Sequence, residues 1–183
     1  MDPPERGVIP LDKFHVPASL AKAMKKNPYH VTYNTDFDAV IDFCAQRMDG
    51  KETWINPTIR VWYKELHRMG FAHSVECRDK DGVLQGGLYG IAINAAFFGE
   101  SMFSRSTNAS KIALVHLVER LKQRGYQLLD CQFVNDHLLQ FGCVEVPRAQ
   151  YHSLLESALG VSGVSFTAGV SSSGAGSSET GSC

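Results

Sequence analysis

Nothing in the sequence approaches the roughly 20 consecutive apolar residues that a membrane-spanning helix needs. The opening stretch "MDPPERGVIPLDKFHV" also lacks the apolar centre of a signal peptide. A cytoplasmic protein with no membrane partner is the expectation. Cysteine is sparse and unpatterned: the five (Cys44, Cys77, Cys131, Cys143, Cys183) are odd in number and form no CxxC pair. That argues against both a disulfide framework and a cysteine-held zinc, so reduced thiols and no metal are expected. No GxSxG-like turn occurs, and without a nucleophile elbow Asn135-Asp136-His137 reads as a helix cap rather than part of a catalytic triad. Charge of one sign is missing too. With 18 basic and 19 acidic residues the formal net charge is −1, so any polyanion site has to come from local clustering.

What is present suits one ordinary domain: 183 residues, 44% hydrophobic and 20% charged. The last stretch departs from this. Residues 160–183 hold eight Ser, six Gly and a single acid, Glu179. Such a segment has too little apolar surface to offset the entropy of ordering it, so residues 1–159 read as the domain and 160–183 as a disordered Ser/Gly-rich tail.

Punctuation along the chain defines the elements. "VPASLAKAMKKNP" predicts a short helix opened near Pro17 or Ser19, and the strand "YHVTYN" follows. Thr35, with Asp38 three residues on, predicts a cap for a helix reaching about Met48. Asn56, Pro57 and Gly70 mark the N-cap, first position and end of the next helix. "AHSVECRDKDGVLQGGLYGIAINAAFFGES" breaks at Asp81-Gly82 and at Asn94, the pattern of antiparallel strands joined by tight turns. Ile112, Val115, Val118 and Leu121 form a helical stripe from about Asn108 to Arg124, ended by Gly125. The strand "YQLLDCQFV", a short helix after Asn135, a brief strand near Val144 and a helix from Pro147 to Leu159 complete the order. This is a mixed α/β chain, a central, mostly antiparallel sheet flanked by helices. It suits an acyltransferase fold of the GNAT kind, whose sheet opens so that an acyl group and an amine can meet in the gap.

Two short stretches carry candidate chemistry. In "FFGESMFSRSTNASK", Glu100 stands among Phe97, Phe98, Met102 and Phe103. It is either a loop acid paired with Arg105 or a carboxylate in an apolar cleft placed to receive a cation. In "LLDCQFVND", alternation puts Asp130 and Gln132 on one face, with Leu129, Cys131 and Phe133 on the other. A charged Asp on a central strand calls for hydrogen-bond partners, whether it serves a site or the Asn135-Asp136 turn. Arg60, Lys64 and Arg68 make a basic stripe at i, i+4, i+8, and Lys22, Lys25 and Lys26 make a second cluster; each is a solvated face or a nucleic-acid contact. Trp54 is a core aromatic beside a cap or a platform for a base. His116 and Glu119 share a helix face but lack the further ligands a metal needs.

The blocks "GGLYGIA", "FFGESMFSRSTNASK", "LLDCQFVNDH" and "FGCVEVPRAQY", with "RGVIPLDKFHV", "TWINP" and "GFAHSVE", in this order, resemble the leucyl/phenylalanyl-tRNA–protein transferase family from about Pro3 to Leu159. The resemblance implies a GNAT-like enzyme without acetyl-CoA or other cofactor. It would move Leu or Phe, with Met as a third candidate, from aminoacyl-tRNA to the N-terminal Arg or Lys of acceptor proteins, marking them for degradation. It implies that Glu100 is the acid in the cleft and that Asp130 and Gln132 stand beside the attacking amine. It also implies that Leu88, Phe97, Gly99, Met102, Leu114, Leu117 and Leu129 form the side-chain pocket, and that Trp54 meets the tRNA 3′ adenosine. Leu117 stands where a bulky aromatic is expected, which predicts a changed pocket. Longer family members carry a Trp-Trp stretch just before the segment matching "MDPPERG"; this sequence has none, and it reads as a short form with a weaker hold on the RNA end.

Two other functions fit less of the sequence. An acetyltransferase needs a Gly-rich turn at a helix N-terminus to hold a pyrophosphate, and "LQGGLYG" reads as strand. A non-catalytic binder of basic N-termini would need only Glu100.

Overall fold

Two tight turns organise the centre of the molecule. Asp81-Gly82, with Gly82 at φ 78° and its N–H on the Asp79 carbonyl at 3.0 Å, reverses the chain between β3 (Ala72–Arg78) and β4 (Leu84–Ile93). Asn94, at φ 50°, opens the two-residue link from β4 to β5 (Ala96–Ser104), a left-handed position that Asn tolerates well. The computed structural model describes residues 3–46 and 55–167.

These strands sit within a seven-stranded sheet that also holds β1 (Glu5–Val8), β2 (His30–Tyr33), β6 (Leu128–Gln132) and β7 (Val144–Pro147), in the order β2-β3-β4-β5-β6-β1-β7. Among the described strands every neighbouring pair is antiparallel except β5 and β6. A parallel pair needs a crossover, and α4 (Ala109–Arg124) supplies it. The parallel contact is brief: Ala96, Phe97 and Phe98 pair with Leu128, Leu129 and Asp130. Beyond Phe98 and Asp130 the two strands part while β5 runs on to Ser104.

Helices close both faces. The apolar stripe of α4, including Ile112, Val115, Leu117, Val118 and Leu121, packs with Val75, Leu88, Phe97 and Leu129 on one face. On the other face α2 (Phe37–Ala45) and α3 (Pro57–Arg68) cover Ala72, Leu84 and Tyr89 on one side of the split. Across the split, α6 (Arg148–Leu159) covers Val8, Ala96 and Leu128. The short helices α1 (Ala18–Met24) and α5 (Asp136–Leu139) complete the set. The result is the mixed α/β, GNAT-like arrangement expected, a mostly antiparallel sheet flanked by helices. Among the described residues no helix is long and apolar enough to cross a membrane.

Helix ends follow local chemistry. Asn56 accepts from the Ile59 N–H at 2.9 Å with Pro57 leading α3, and Asn135 accepts from the Leu138 N–H at 2.9 Å to start α5. The cap of α2 is Asp36, not Thr35. The Thr35 hydroxyl turns back to the Tyr33 carbonyl at 3.4 Å, and the Asp36 carboxylate takes the Ala39 N–H at 3.4 Å.

The boundary drawn at Gly160 also moves. Phe166 is 1% exposed, and its ring stacks on Phe97 and His73 with centroids 5.6 and 4.5 Å away. Arg120 Nε donates to its carbonyl at 2.8 Å. One buried aromatic, worth about 2–3 kcal/mol of apolar transfer, holds a Ser/Gly-rich segment that composition alone reads as loose. Residues 168–183, the rest of the expected tail, lie outside those described.

Candidate active site

The split between β5 and β6 opens into a cavity of about 430 Å³. Six of the seven residues expected to form a side-chain pocket line it: Leu88, Gly99, Met102, Leu114, Leu117 and Leu129. Tyr89, Glu100, Ser101, Ser110, Cys131 and His137 add polar groups to the wall. Phe97 is the exception. It is 0% exposed and stands behind the wall, edge-on to Tyr126 with centroids 6.4 Å apart. Trp54 lies outside the described residues.

Both candidate polar residues sit where the backbone leaves regular strand. Along β4 and β5, Tyr89 pairs with Ser101 but Gly90 pairs with Gly99, so Glu100 is the extra residue of a β-bulge. A bulge re-aims one side chain without ending the ladder, and here it turns Glu100 to the split. Gly90 permits the close approach, because a Cβ there would strike the Phe98 carbonyl.

Gln132 departs further. Its φ is 65°, and the Phe133 N–H returns to the Cys131 carbonyl at 2.7 Å, so Gln132 is the central residue of a classic γ-turn. This turn is rare and strained for a residue with a Cβ. It defeats the alternation expected from the sequence. The Gln132 side chain reaches over the split, with Nε2 3.3 Å from Glu100 Oε2 and 3.5 Å from the Gly99 carbonyl.

Neither Asp130 nor Gln132 is part of the cavity's lining. Asp130 is 0% exposed, and its carboxylate meets Tyr151 of α6. The Arg6 Nε lies 3.1 and 3.0 Å from its two oxygens, and Arg6 Nη2 lies 2.9 Å from Oδ2. The Tyr151 hydroxyl donates to Oδ2 at 2.5 Å and the Gln132 backbone N–H to Oδ1 at 2.7 Å. The carboxylate is thus compensated by a cation and by donors on both oxygens, as a buried charge requires. Its reach to the cleft runs through the backbone of Gln132.

Glu100 is in the opposite state. Arg105, the partner a loop acid would take, instead lies over the Phe43 ring with Cζ 5.0 Å from its centroid. Among the described residues Glu100 makes no ion pair. Burial raises its pKa above the ordinary carboxylate value, and hydrogen bonds from Tyr63 and Gln132 offset part of that rise. A half-buried carboxylate held only by neutral donors would gain from a cation placed beside it.

The basic stripe on α3 is a different matter. Arg60 pairs with Asp42 at 3.2 Å, Lys64 with Asp42 at 3.4 Å and Asp38 at 3.6 Å, and Arg68 with Glu65 at 2.9 Å. Acids of α2 and of α3 itself lie beside all three cations, so in this structure the stripe is a solvated face carrying local ion pairs. The Gly-Gly of "LQGGLYG" lies inside β4, so it forms no phosphate-binding turn.

Three residues near the site escaped the sequence reading: Arg6, Tyr63 and Tyr151. Arg6 lies on a four-residue strand beside two prolines, and the two tyrosines look like ordinary amphipathic helix positions. A buried Asp demanding a cation was the one available signal for Arg6.

A family model described as leucyl/phenylalanyl-tRNA protein transferase matches residues 8–156. The chain is 52% identical over 170 residues to a leucyl/phenylalanyl-tRNA–protein transferase of Hyphomonas neptunium, covering 92% of this chain and 65% of that protein. It is 54% identical over 159 residues to the protein of the same name from Ruegeria pomeroyi, covering 87% of this chain and 74% of that one. It thus spans about two thirds of the length of the first of these relatives. Among solved structures it is similar to L-PGS from Bacillus licheniformis, at 13% identity and a TM-score of 0.48 over 73% of this chain and 48% of that one, a likeness too slight to bear on function. With its match covering most of the domain and its relatives above half identity, the chain belongs to the leucyl/phenylalanyl-tRNA–protein transferase family.

Proposed function

We propose that the protein transfers Leu or Phe, with Met as a third donor, from aminoacyl-tRNA to the N-terminal Arg or Lys of acceptor proteins. The observation that carries this reading is a cavity with an apolar wall whose lining includes Glu100, a carboxylate without an ion pair among the described residues, and the amide of Gln132 beside that carboxylate at 3.3 Å. The names of the two bacterial relatives point the same way. The setting is the cytoplasm, where charged tRNA and new protein N-termini occur together.

In this reaction the acceptor's α-amine attacks the ester carbonyl of the aminoacyl-tRNA. The C–N bond forms, the C–O bond to the ribose breaks, and the amine proton ends on the departing ribose oxygen. An activated ester meeting a free amine needs alignment more than a strong base. The apolar cavity takes the donor side chain, and Glu100 takes the cationic acceptor residue. Gln132 is too weak a base to remove a proton, so its amide orients the amine or the carbonyl by hydrogen bonding.

Incubating the protein with Phe-tRNA or Leu-tRNA and an Arg-initiated peptide tests this, with a peptide extended by one residue as the expected product. Absence of product from either donor at high protein concentration sinks the proposal. Peptide binding without transfer under saturating tRNA would favour a non-catalytic binder of basic N-termini.

A further inference from the structure

Gln132 holds a backbone conformation that a residue with a Cβ does not choose. A left-handed φ costs on the order of 1–2 kcal/mol, so the surroundings have to impose it. Three contacts do so. The Gln132 N–H is fixed on Asp130 Oδ1 at 2.7 Å, two residues back along the same strand. Asp130 is itself clamped by Arg6 and by the Tyr151 hydroxyl. β1 meets the turn from outside: Gly7 pairs with Gln132, and a Cβ on Gly7 would come within 2.7 Å of the Phe133 carbonyl carbon.

We infer that Arg6 and Tyr151 are positioning residues for the transfer: they hold Asp130 so that it locks Gln132 in the γ-turn and aims its amide over the split. Neither lines the cavity. Arg6 offers a planar fork that engages both carboxylate oxygens, which fixes rotation of the Asp130 side chain as well as its charge. Tyr151 fixes the same carboxylate from α6, and the Arg6 guanidinium carbon lies 5.5 Å from the Tyr151 ring centroid, so the two clamps also brace each other. With either clamp removed, Asp130 can turn, the Gln132 N–H loses its acceptor, and the backbone relaxes to an extended φ that carries the amide away from Glu100.

This inference rests on the transferase reading, so its test has a kinetic and a structural arm. In the kinetic arm, Arg6→Gln, Arg6→Lys and Tyr151→Phe are compared with wild type in the Phe-tRNA transfer assay, with thermal melts to confirm folding. The expected result is a fall in kcat of about tenfold or more, with KM for both substrates within about twofold and Arg6→Lys intermediate. On a Gln132→Ala background the same substitutions are expected to cost no more, because their effect runs through that side chain. Full multiplicative losses on that background, or an unchanged kcat in Tyr151→Phe and Arg6→Gln, overturn the inference. In the structural arm, hydrogen exchange of the Gln132 amide is followed by NMR. Protection in wild type and its loss in Tyr151→Phe and Arg6→Gln are expected. Protection that survives both substitutions overturns the inference even if wild type transfers nothing, a result that would count separately against the transferase reading.

Discussion

The Gln132 side-chain amide lies 3.3 Å from Glu100 Oε2, each residue displaced from its own strand by a local irregularity, a γ-turn in one case and a bulge in the other. Two strands that separate after three paired residues are joined again by side chains. That junction is the point where an acceptor cation and an amine would meet.

Replacing Glu100 by Gln keeps the shape and removes the charge. KM for an Arg-initiated peptide should rise at least tenfold, the loss expected for a charge-assisted hydrogen bond, while KM for Phe-tRNA stays unchanged. Because burial raises the Glu100 pKa, acceptor affinity in wild type should weaken as pH falls through that raised value and the carboxylate takes a proton. Steady-state kinetics from pH 4 to 7 check this, and the Gln variant should lack the dependence.

Leu117 lines the cavity and is 1% exposed. Leu117→Phe fills part of the space that a donor side chain would use. The ratio of kcat/KM for Phe-tRNA over Leu-tRNA should fall by about tenfold, the scale on which apolar pockets discriminate by size. Competition between the two charged tRNAs in one reaction measures that ratio directly.

His73 is 5% exposed under Phe166, and burial, reinforced by His67, lowers its pKa to about 4 from an ordinary 6.5. The unfolded chain therefore binds a proton at this residue from about pH 6.5 downward while the folded chain does not. Its contribution is fully present above pH 6.5 and is lost as pH falls toward 4, up to about 3 kcal/mol. Urea unfolding across that range should show the decline, and His73→Gln should flatten it.

Phe166→Ala removes a ring that touches Phe97, His73 and Tyr33 and lies under the Arg120 guanidinium, whose Cζ is 5.0 Å from its centroid. A loss of about 3–5 kcal/mol in unfolding free energy is expected, as for other buried Phe to Ala changes. A loss below about 1 kcal/mol would mean that the segment after Gly160 contributes little to the fold.

Much of the fold can be read from punctuation. Asn56, Pro57 and Gly70 bound α3, Gly125 ends α4, and Asp81-Gly82 and Asn94 make the turns of the meander, because each residue has a conformational preference that acts locally. What escapes such reading is set by distant partners. β1 has two charged residues and a glycine in four positions and becomes a strand only between β6 and β7. The alternation that grouped Gln132 with Asp130 fails because Asp130 captures its N–H and the backbone reverses there. Glu100 stands out in the sequence as an acid among aromatics, yet the bulge that aims it depends on the register with β4, which no short window contains. The ion pairs of the α3 stripe cannot be read from its own spacing, because Asp38 and Asp42, the acids beside Arg60 and Lys64, belong to another helix.

Among the described strands, β1 lies between β6 and β7, and Arg6 finds Asp130 across a separation of 124 residues. During synthesis on a ribosome, α4 and the β3–β5 meander can assemble from what has already emerged, but the edge that receives β1 is still unmade. Gln132 therefore has no clamp until translation has passed Tyr151 and β1 has docked between β6 and β7. Closing so long a loop late makes this step slow relative to the local ones, and a nascent chain carries no finished catalytic centre.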